Sequence, residues 1–201
     1  MYLRFTEKAE FLQRHELDLL EPYEGVDARP ARPDELPAMI ALARAAVPAV
    51  TVDDATVERV YRRHRACIFP FRCGGRIAGG VAFLYLNEDG LDRLLLDELD
   101  FSDPDPAVLI RLGETPAAIY IWAIAARGRA GAGIANVSAR LRQEPFARAD
   151  YYSLPTTSGG ERILPQVGFV PTNSFQQSLW TYRRMRNRIP AQPAAALRCV
   201  A

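Results

Sequence analysis

The chain has 201 residues, of which 49% are hydrophobic and 24% are charged, and this composition excludes a disordered protein. The length suits one domain with a well-buried core and is short for two. The formal net charge of +1 excludes a protein that binds nucleic acid through overall charge alone. We therefore predict one globular domain without a nucleic-acid partner.

The cysteines and the apolar runs narrow the class further. Cys67, Cys73 and Cys199 are odd in number and lack CxxC spacing, which argues against a disulfide framework or a zinc site. No N-terminal stretch resembles a signal peptide, and no apolar run approaches the length of a membrane span. We predict a soluble, cytoplasmic protein with no metal ion and no membrane partner.

The N-terminal residues predict an appended helix. Residues 6–21 begin with a threonine cap and carry phenylalanine and leucine on the helix surface, and Pro22 and Gly25 end the helix. We expect residues 1–25 to form an extension that packs on the domain or on a second subunit, which leaves a homodimer open.

A short strand and two helices follow. Residues 26–32 predict the strand, and a helix then opens at Pro33 and ends at Pro48. Thr51 or Asp53 caps a second helix, which carries arginines along one side. That side is either a substrate-facing basic patch or, as is usual for such a cluster, a solvated helix face.

A hairpin and an acidic segment come next. The apolar runs at residues 66–73 and 76–86 predict an antiparallel hairpin, because two glycines separate them. Gly79 and Gly80 inside the second run predict a bulge or a close approach of another backbone. Residues 87–106 are rich in Asp, Glu and Leu, which favours a short amphipathic helix and a solvated loop over a landing surface for a cationic amine.

The centre of the chain is a strand, a glycine turn and a helix start at residues 117–135. Its first half is a short apolar run rich in Ile, Tyr and Trp that predicts a buried strand, and three glycines and two arginines follow. Such a turn directs several backbone N–H groups and the helix dipole at one point. It is either a phosphate site, with Arg127 and Arg129 balancing a diphosphate, or a plain tight turn.

The remaining elements alternate between helix and strand. The helix after the glycine turn runs to about Gln143, and a short strand follows at residues 149–154. Residues 161–167 predict a brief helix, and residues 175–185 predict a final strand. The whole order predicts an α/β protein with a single mixed, mostly antiparallel sheet of six to seven strands and helices on both faces.

Three stretches in this order resemble the GCN5-related N-acetyltransferase (GNAT) superfamily. Residues 28–37, Ala-Arg-Pro-Ala-Arg-Pro-Asp-Glu-Leu-Pro, are similar to the family's opening strand and the start of its first helix. Residues 119–135 resemble its acyl-coenzyme A signature, Arg/Gln-x-x-Gly-x-Gly/Ala, and residues 160–171 resemble its closing helix and Gly-Phe strand entry. The resemblance implies an acyltransferase domain at residues 26–186, and we expect a fraying tail at residues 187–201.

The resemblance implies an acyl-CoA-dependent N-acyltransferase with acetyl-CoA as its co-substrate. In this family a gap beside the signature strand admits the coenzyme's pantetheine arm, here along residues 121–126, and the diphosphate sits on the N–H groups of residues 129–134. A deprotonated amine attacks the thioester directly, and a strand N–H near Ile124 stabilises the oxyanion. The coenzyme-binding residues implied in this way are Trp122, Ala123, Ile124, Ala125, Ala126, Arg127, Arg129, Ala130, Gly131, Ala132, Gly133 and Ile134.

The sequence departs from the family pattern at two positions. If Gly131 and Gly133 are the signature glycines, Gly128 stands where the family has Arg or Gln. Many family members carry a tyrosine in the last helix as general acid to the leaving thiolate, and Leu164 stands at that position. Catalysis then needs another acid, or none, since a thiolate is already a fair leaving group.

Other residues are therefore candidates for proton transfer. We select Glu114 as a base that acts through water, and Tyr120 or Tyr152 as the acid. We expect a cleft between the signature strand and the strand that follows it, bordered by Trp122, Tyr152 and Phe83.

Three functions stay open at this point. The leading one is transfer of an acetyl group to a primary amine of a small molecule or a peptide. A second is an acyltransferase of the same fold that takes a longer acyl chain, or an acyl carrier protein that meets the arginines of the second helix. The third is a non-catalytic module that senses coenzyme A.

Overall fold

The computed structural model describes residues 16–46 and 52–188. The helix predicted at residues 6–21 lies mostly outside this region, and the described part of it contains one 3₁₀ turn, Leu17–Leu19. The helix stop predicted at Pro48 and nearly all of the predicted tail also lie outside the described residues.

Helices and strands alternate along the described chain. The α-helices are α1 (Leu36–Ala46), α2 (Asp54–Arg63), α3 (Glu88–Leu96), α4 (Gly133–Leu141), α5 (Ser158–Gln166) and α6 (Met185–Arg188). The strands are β1 (Ile68–Cys73), β2 (Arg76–Leu86), β3 (Ala118–Ala126), β4 (Asp150–Ser153), β5 (Val170–Pro171) and β6 (Trp180–Tyr182). Within this region, none of the helices has both the length and the apolar character needed to cross a bilayer.

The six described strands form one sheet in the order β1-β2-β3-β4-β6-β5. The pair β3–β4 is parallel and the other neighbours are antiparallel, which confirms the predicted single, mixed, mostly antiparallel sheet. β1 and β2 form the predicted hairpin. Gly74 and Gly75 in its turn have φ angles of 56° and 78°, in the left-handed region that such a turn requires.

Glycines let helices pack closely on both faces of the sheet. A Cβ added at Gly80 would lie 2.9 Å from the backbone carbonyl oxygen of Phe69 on β1, which confirms the predicted close backbone approach, and it would also collide with the side chain of Met39 on α1. Phe71 pairs with Gly79, which precedes Gly80 in β2. Since neighbouring residues of a strand point to opposite faces, Phe71 points to the face of the sheet away from α1. There the Phe71 ring would collide with a Cβ at Gly133, so α4 covers that face.

The strand predicted at residues 26–32 is wrong. The chain makes a single bridge here, between Asp27 and Arg72. The carboxylate of Asp27 accepts a hydrogen bond from the N–H of Arg29, and Pro30 has no N–H to donate. The segment therefore follows local side-chain hydrogen bonds instead of a strand ladder.

The final strand is shorter than the prediction of residues 175–185. Only the three residues of β6 pair with neighbouring strands. Ser178 adopts a left-handed conformation with φ of 59°, and the N–H of Phe175 donates to the carbonyl of Leu95 at the end of α3. These contacts hold the preceding residues as a loop against α3, and the two-residue β5 forms the edge of the sheet.

Two ion pairs join the N-terminal segment to opposite halves of the sheet. Arg72 on β1 donates to both oxygens of Glu35, at 2.8 and 2.5 Å. Arg184, which follows β6, has only 1% of its side chain exposed and meets Asp18 at 2.5 Å. Its Nε also donates to the carbonyl of Ala149, just before β4, at 3.1 Å. Both halves of the sheet are therefore joined to residues that precede α1.

Candidate functional site

The two edges of β3 are paired differently. Toward β2, β3 is paired over residues 118–126, which is its whole length. Toward β4, the pairing covers four positions and ends where Ile121 meets Ser153. Beyond Ile121, β3 has no strand partner on that side among the described residues. The strands part here, and the second half of β3 has an open edge.

Alternate backbone groups of β3 point into this gap. The N–H of Phe83 donates to the carbonyl of Cys67 on the β1 side, so its neighbour Ala82 faces β3. Ala82 is paired with Ala123, whose backbone groups therefore face β2. Since successive residues direct their N–H and C=O groups to opposite edges, those of Ile124 face the gap. They offer a donor and an acceptor to an extended ligand.

Trp122 marks the parting point. The register of β3 against β2 slips by one residue here, which is a β-bulge. The indole N–H of Trp122 donates to the carbonyl of Phe101 at 2.9 Å, and the Phe101 ring stacks on Tyr120 with centroids 4.7 Å apart. The loop after α3 is thereby fixed against β3 at the place where the strands separate.

The gap opens into a groove of about 2100 Å³. One wall is β3 with the turn that follows it, and the other includes residues 153–157, where the chain leaves β4. Two of the predicted coenzyme-binding residues, Ala130 and Gly133, are buried and do not line the groove. The predicted residues that do line it are Trp122, Ala123, Ile124, Ala125, Ala126, Arg127, Arg129, Gly131, Ala132 and Ile134.

The glycine turn is a 3₁₀ turn, Gly128–Ala132, that continues directly into α4. The N–H of Ala130 donates to the carbonyl of Arg127 at 3.2 Å, and the N–H of Gly133 donates to the carbonyl of Ala130. These two amides, both predicted to hold the diphosphate, are engaged inside the turn. The first N–H groups of a helical turn have no acceptor within it, so those of Gly128 and Arg129 are the ones available to a ligand.

Two arginines stand at the turn end of the groove. The guanidinium groups of Arg127 and Arg129 are exposed and form no hydrogen bond or ion pair with the described residues. Two unpaired cations beside free backbone N–H groups create a positive potential that attracts an anion. The arrangement fits the phosphate site that the sequence left open against a plain turn.

The three glycines of the turn differ in whether the fold requires a glycine at that position. Gly128 has a left-handed φ of 55°. Gly133 lies against the ring of Phe71, where a Cβ would collide. Gly131 has neither constraint, because no described atom lies within 4 Å of an added Cβ and the residue lines the groove. The fold does not require glycine at position 131, so this open space is where a ligand can approach the backbone.

The three predicted acid–base residues differ in whether they line the groove. Tyr120, one position before the last paired residue of β3, lines the groove, and its burial raises the pKa well above the ordinary value, an effect that the N–H of Leu154 only partly offsets. Tyr152 pairs with Tyr120 but does not line the groove. Glu114 is exposed in the loop before β3, where its carboxylate accepts a hydrogen bond from the N–H of Arg111 at 2.7 Å. The structure therefore brings the two tyrosines together and leaves the carboxylate apart.

The sequence analysis missed a tyrosine next to one that it selected. Of the three residues predicted to border the cleft, Trp122 and Phe83 line the groove and Tyr152 does not. The neighbouring Tyr151, which points to the opposite face of β4, lines the groove, and its phenol oxygen is buried without a hydrogen-bond partner among the described residues. Burial raises the pKa of Tyr151. Two adjacent tyrosines in a four-residue strand give no sequence signal of which one faces the groove.

An acidic residue at the groove was also missed. Asp100, in the loop after α3, lines the groove beside Phe101. Its carboxylate accepts hydrogen bonds from the hydroxyl and the N–H of Ser102 at 2.7 and 2.8 Å, which lower its pKa, so it is ionised at neutral pH. The acidic run forms the predicted helix and loop, but nothing in that run distinguishes this carboxylate from its neighbours.

The arginines of α2 have partners within the chain. Arg59 forms an ion pair with Asp103, and Arg63 donates to the carbonyl of Leu109 at 2.8 Å. Neither arginine lines the groove. These contacts favour a structural role for this side of the helix over a substrate-facing patch.

The chain was compared with known proteins. No family model matches it, and no curated protein matches it. The loading GNATL domain of CurA from Lyngbya majuscula matches 79% of this chain and 97% of that one, with a TM-score of 0.57 and 12% identity. A GNAT family acetyltransferase from Brucella melitensis in complex with acetyl-CoA matches 85% of this chain and 93% of that one, with a TM-score of 0.46 and 16% identity. The GphF GNAT-like decarboxylase in complex with isobutyryl-CoA matches 63% of this chain and 64%, less than two thirds, of that one, with a TM-score of 0.47 and 19% identity.

Proposed function

We propose that this chain, which has the GNAT fold, is an acyl-CoA-dependent N-acyltransferase. The observation that carries the proposal is the parting of β3 and β4 after Ile121, which opens one edge of β3 in front of a groove. Backbone groups inside a sheet are normally paired, so an edge left open in this way is suited to an extended ligand that takes up its hydrogen bonds. The amide-containing pantetheine arm of coenzyme A is such a ligand.

Backbone groups of β3 and two arginines bind the coenzyme in this proposal. The arm pairs with the C=O of Ile124 and with the backbone groups of Ala126, which face the same side, and the diphosphate lies at the start of the glycine turn. Arg127 and Arg129 supply the cations, and the open space at Gly131 leaves room for the phosphate oxygens. The absence of other partners for these two arginines among the described residues supports this role.

The reaction is attack of a neutral amine nitrogen on the thioester carbonyl carbon. The C–N bond forms, the carbonyl oxygen gains negative charge, and the C–S bond then breaks to release the thiolate. The N–H of Ile124 in the gap is our candidate donor to the oxyanion. Tyr120 holds its proton because its pKa is raised, so it acts as a hydrogen-bond donor to the leaving sulfur and not as a base. The proton that the amine nitrogen loses goes to water.

The acceptor is a primary amine of a small molecule or a peptide. Asp100 places a negative charge on the groove wall, which attracts a protonated amine before it loses its proton and reacts. Glu114 has no part in this proposal, because it is exposed and does not line the groove.

One observation favours a second function, that of a coenzyme sensor without turnover. Leu164 lines the groove where many GNAT proteins carry the tyrosine acid, and Tyr152, one of the other candidate acids, does not line the groove. A sensor and a transferase share the coenzyme site and differ only in whether an amine is acylated.

Calorimetric titration with CoA and acetyl-CoA, followed by thiol-release assays over a panel of primary amines, tests both functions. Binding with amine-dependent thiol release supports the transferase, and binding without release on any amine supports the sensor. Failure of both ligands to bind contradicts both.

A charge-matched pair of variants controls for nonspecific electrostatics. The double variant Arg127→Ala/Arg129→Ala is expected to weaken CoA binding at least tenfold. The double variant Arg140→Ala/Arg148→Ala removes the same charge from exposed residues that do not line the groove, and should leave the affinity within about twofold. Equal losses in the two variants would mean that the turn does not bind the diphosphate.

A further inference from the structure

A second cavity, of about 60 Å³, adjoins the groove at Trp122. It lies between the sheet and helices α1 and α2, with Ile40 and Val57 among its lining residues. Trp122, Ala123 and Ala125 line both this cavity and the groove. The two spaces therefore meet at the point where β3 and β4 part.

Small side chains on one face of the sheet leave this cavity open. Gly80 pairs with Ala125, and Ala82 pairs with Ala123, so these four residues share one face of β2 and β3. All four line the cavity, and Ala43 of α1 lines it from the opposite side. The space results from a run of glycine and alanine where larger apolar residues would fill the core.

The cavity offers nothing to a polar ligand. Arg44 is the one charged residue among its described lining residues, and its guanidinium is taken by Asp54 at 2.7 Å and by the carbonyl of Val52 at 3.0 Å. The indole N–H of Trp122 is taken by the carbonyl of Phe101. A cavity lined in this way excludes charged and hydroxylated groups and favours hydrocarbon.

We propose that this cavity holds the hydrocarbon chain of the acyl group, and that the preferred donor is a short acyl-CoA of about three to five carbons rather than acetyl-CoA. This inference rests on the proposed function, because it requires the thioester to reach the parting point. An arm that starts at the glycine turn and follows the open edge of β3 ends beside Trp122 and Ala123. The acyl chain, which continues beyond the thioester, then enters the cavity.

The volume sets the size of the acyl group. A cavity needs roughly 10–15 Å³ on this measure to hold one water-sized group. The 60 Å³ available therefore suits a few carbon atoms and leaves an acetyl group with unfilled space. Burying one more methylene contributes about 0.8 kcal/mol, which is a factor of about four in affinity.

Calorimetric titration of the wild-type chain with CoA and a series of acyl-CoAs tests the proposal. The series is acetyl, propionyl, isobutyryl, isovaleryl and octanoyl. We expect the affinity to rise about fourfold for each added carbon up to isovaleryl and to fall at octanoyl. If CoA and all acyl-CoAs bind equally, this inference is wrong and the proposed function stands. If CoA itself does not bind, the proposed function fails.

Two substitutions on α1 form a matched pair. Ala43→Leu fills the cavity and is expected to weaken isovaleryl-CoA binding at least tenfold while leaving CoA binding unchanged. Ala41→Leu makes the same change at an exposed residue that lines neither cavity, and should leave the whole series unchanged. If Ala43→Leu spares the acyl series and instead raises the KM of the amine, the cavity belongs to the acceptor and the proposal is overturned.

A third variant keeps the test decisive if Ala43→Leu does not fold. Ile40→Val removes one methylene from the cavity wall and is expected to shift the preferred acyl chain toward one more carbon. An unchanged preference in a folded Ile40→Val protein contradicts the proposal.

Discussion

The two sides of β3 show how one sheet combines a closed half with an open one. On the β2 side, a hairpin with a two-glycine turn supplies strands that are paired along their full length. On the β4 side, the pairing stops after four positions. That half is instead held by Arg184 and Asp18, which are 166 residues apart in the chain. The opening lies in the half that depends on distant contacts, where backbone groups remain available to a ligand.

The largest expected effect comes from Arg184→Met, which breaks the contact that holds the open half. The substitution leaves Asp18 and several backbone carbonyls without the cation that they face, so we expect a loss of about 3–5 kcal/mol of unfolding free energy. Urea denaturation at pH 7 measures it. The double variant Arg184→Met/Asp18→Leu should recover part of the loss, because no charge is then left buried alone. A single variant within about 1 kcal/mol of the wild type would contradict this assignment.

A smaller loss is expected from Glu35→Gln in the closed half. The guanidinium of Arg72 lowers the pKa of Glu35 from 4.5 to about 2. A lowered carboxyl pKa contributes stability that is present above pH 4.5 and is lost as the pH falls toward 2. Glu35→Gln should therefore lose about 1–3 kcal/mol of unfolding free energy at pH 7, and the difference in stability from the wild type should decrease on acidification.

Denaturation curves at several pH values check this prediction, with CoA titration beside them. The affinity for CoA should stay unchanged in Glu35→Gln, since the pair lies away from the gap. A stability gap between variant and wild type that does not depend on pH would contradict the role of this carboxylate.

Two glycines of the turn are expected to affect different properties, one the binding of CoA and the other the stability of the fold. Gly131→Ala adds a methyl group in open space that faces the groove, so we expect about a tenfold loss of CoA affinity with no loss of thermal stability. Gly133→Ala forces a contact with Phe71 and should instead lower the melting temperature. Thermal shift and calorimetry on both variants check this. A Gly131→Ala protein with normal CoA affinity would place the phosphate elsewhere.

The smallest effect is expected from Asp100→Asn at the groove wall. Asn keeps an oxygen that can accept from Ser102 and removes the charge, so the KM of an amine substrate should rise by about fivefold at most, and less at high salt. Asp97→Asn is the matched control, because Asp97 lies nearby at the end of α3 and does not line the groove. Equal effects of the two substitutions would argue for a general field and not for a site at Asp100.

Local patterns in the sequence were enough to predict much of the fold. The hairpin follows from two apolar runs around a glycine pair, and β3 follows from a continuous run of apolar residues. These features depend on neighbours in the chain, and so does the glycine turn. The strand predicted at residues 26–32 failed for a local reason as well, since Asp27 and Pro30 favour a turn over a ladder.

The candidate site was harder to predict, because it depends on register between distant strands. Whether Tyr151 or Tyr152 lines the groove depends on how β4 aligns with β3, and the bulge at Trp122, where the two strands part, has no sequence signal of its own. Asp100 reaches the groove only because Phe101 beside it is fixed to Trp122 and Tyr120. Contacts of this kind cannot be derived from spacing along one chain.

The open edge of β3 also bears on how the protein behaves in solution. Unpaired strand edges recruit other strands and are a recognised route to aggregation. Within the described residues this edge carries Ile124 with 45% of its surface exposed. Arg127 follows the strand, and its charge opposes pairing with another strand at that end. In the proposed function, a bound coenzyme covers this edge and blocks its pairing with other strands. We therefore expect the ligand-free protein to aggregate more readily than the coenzyme complex during purification, concentration and storage.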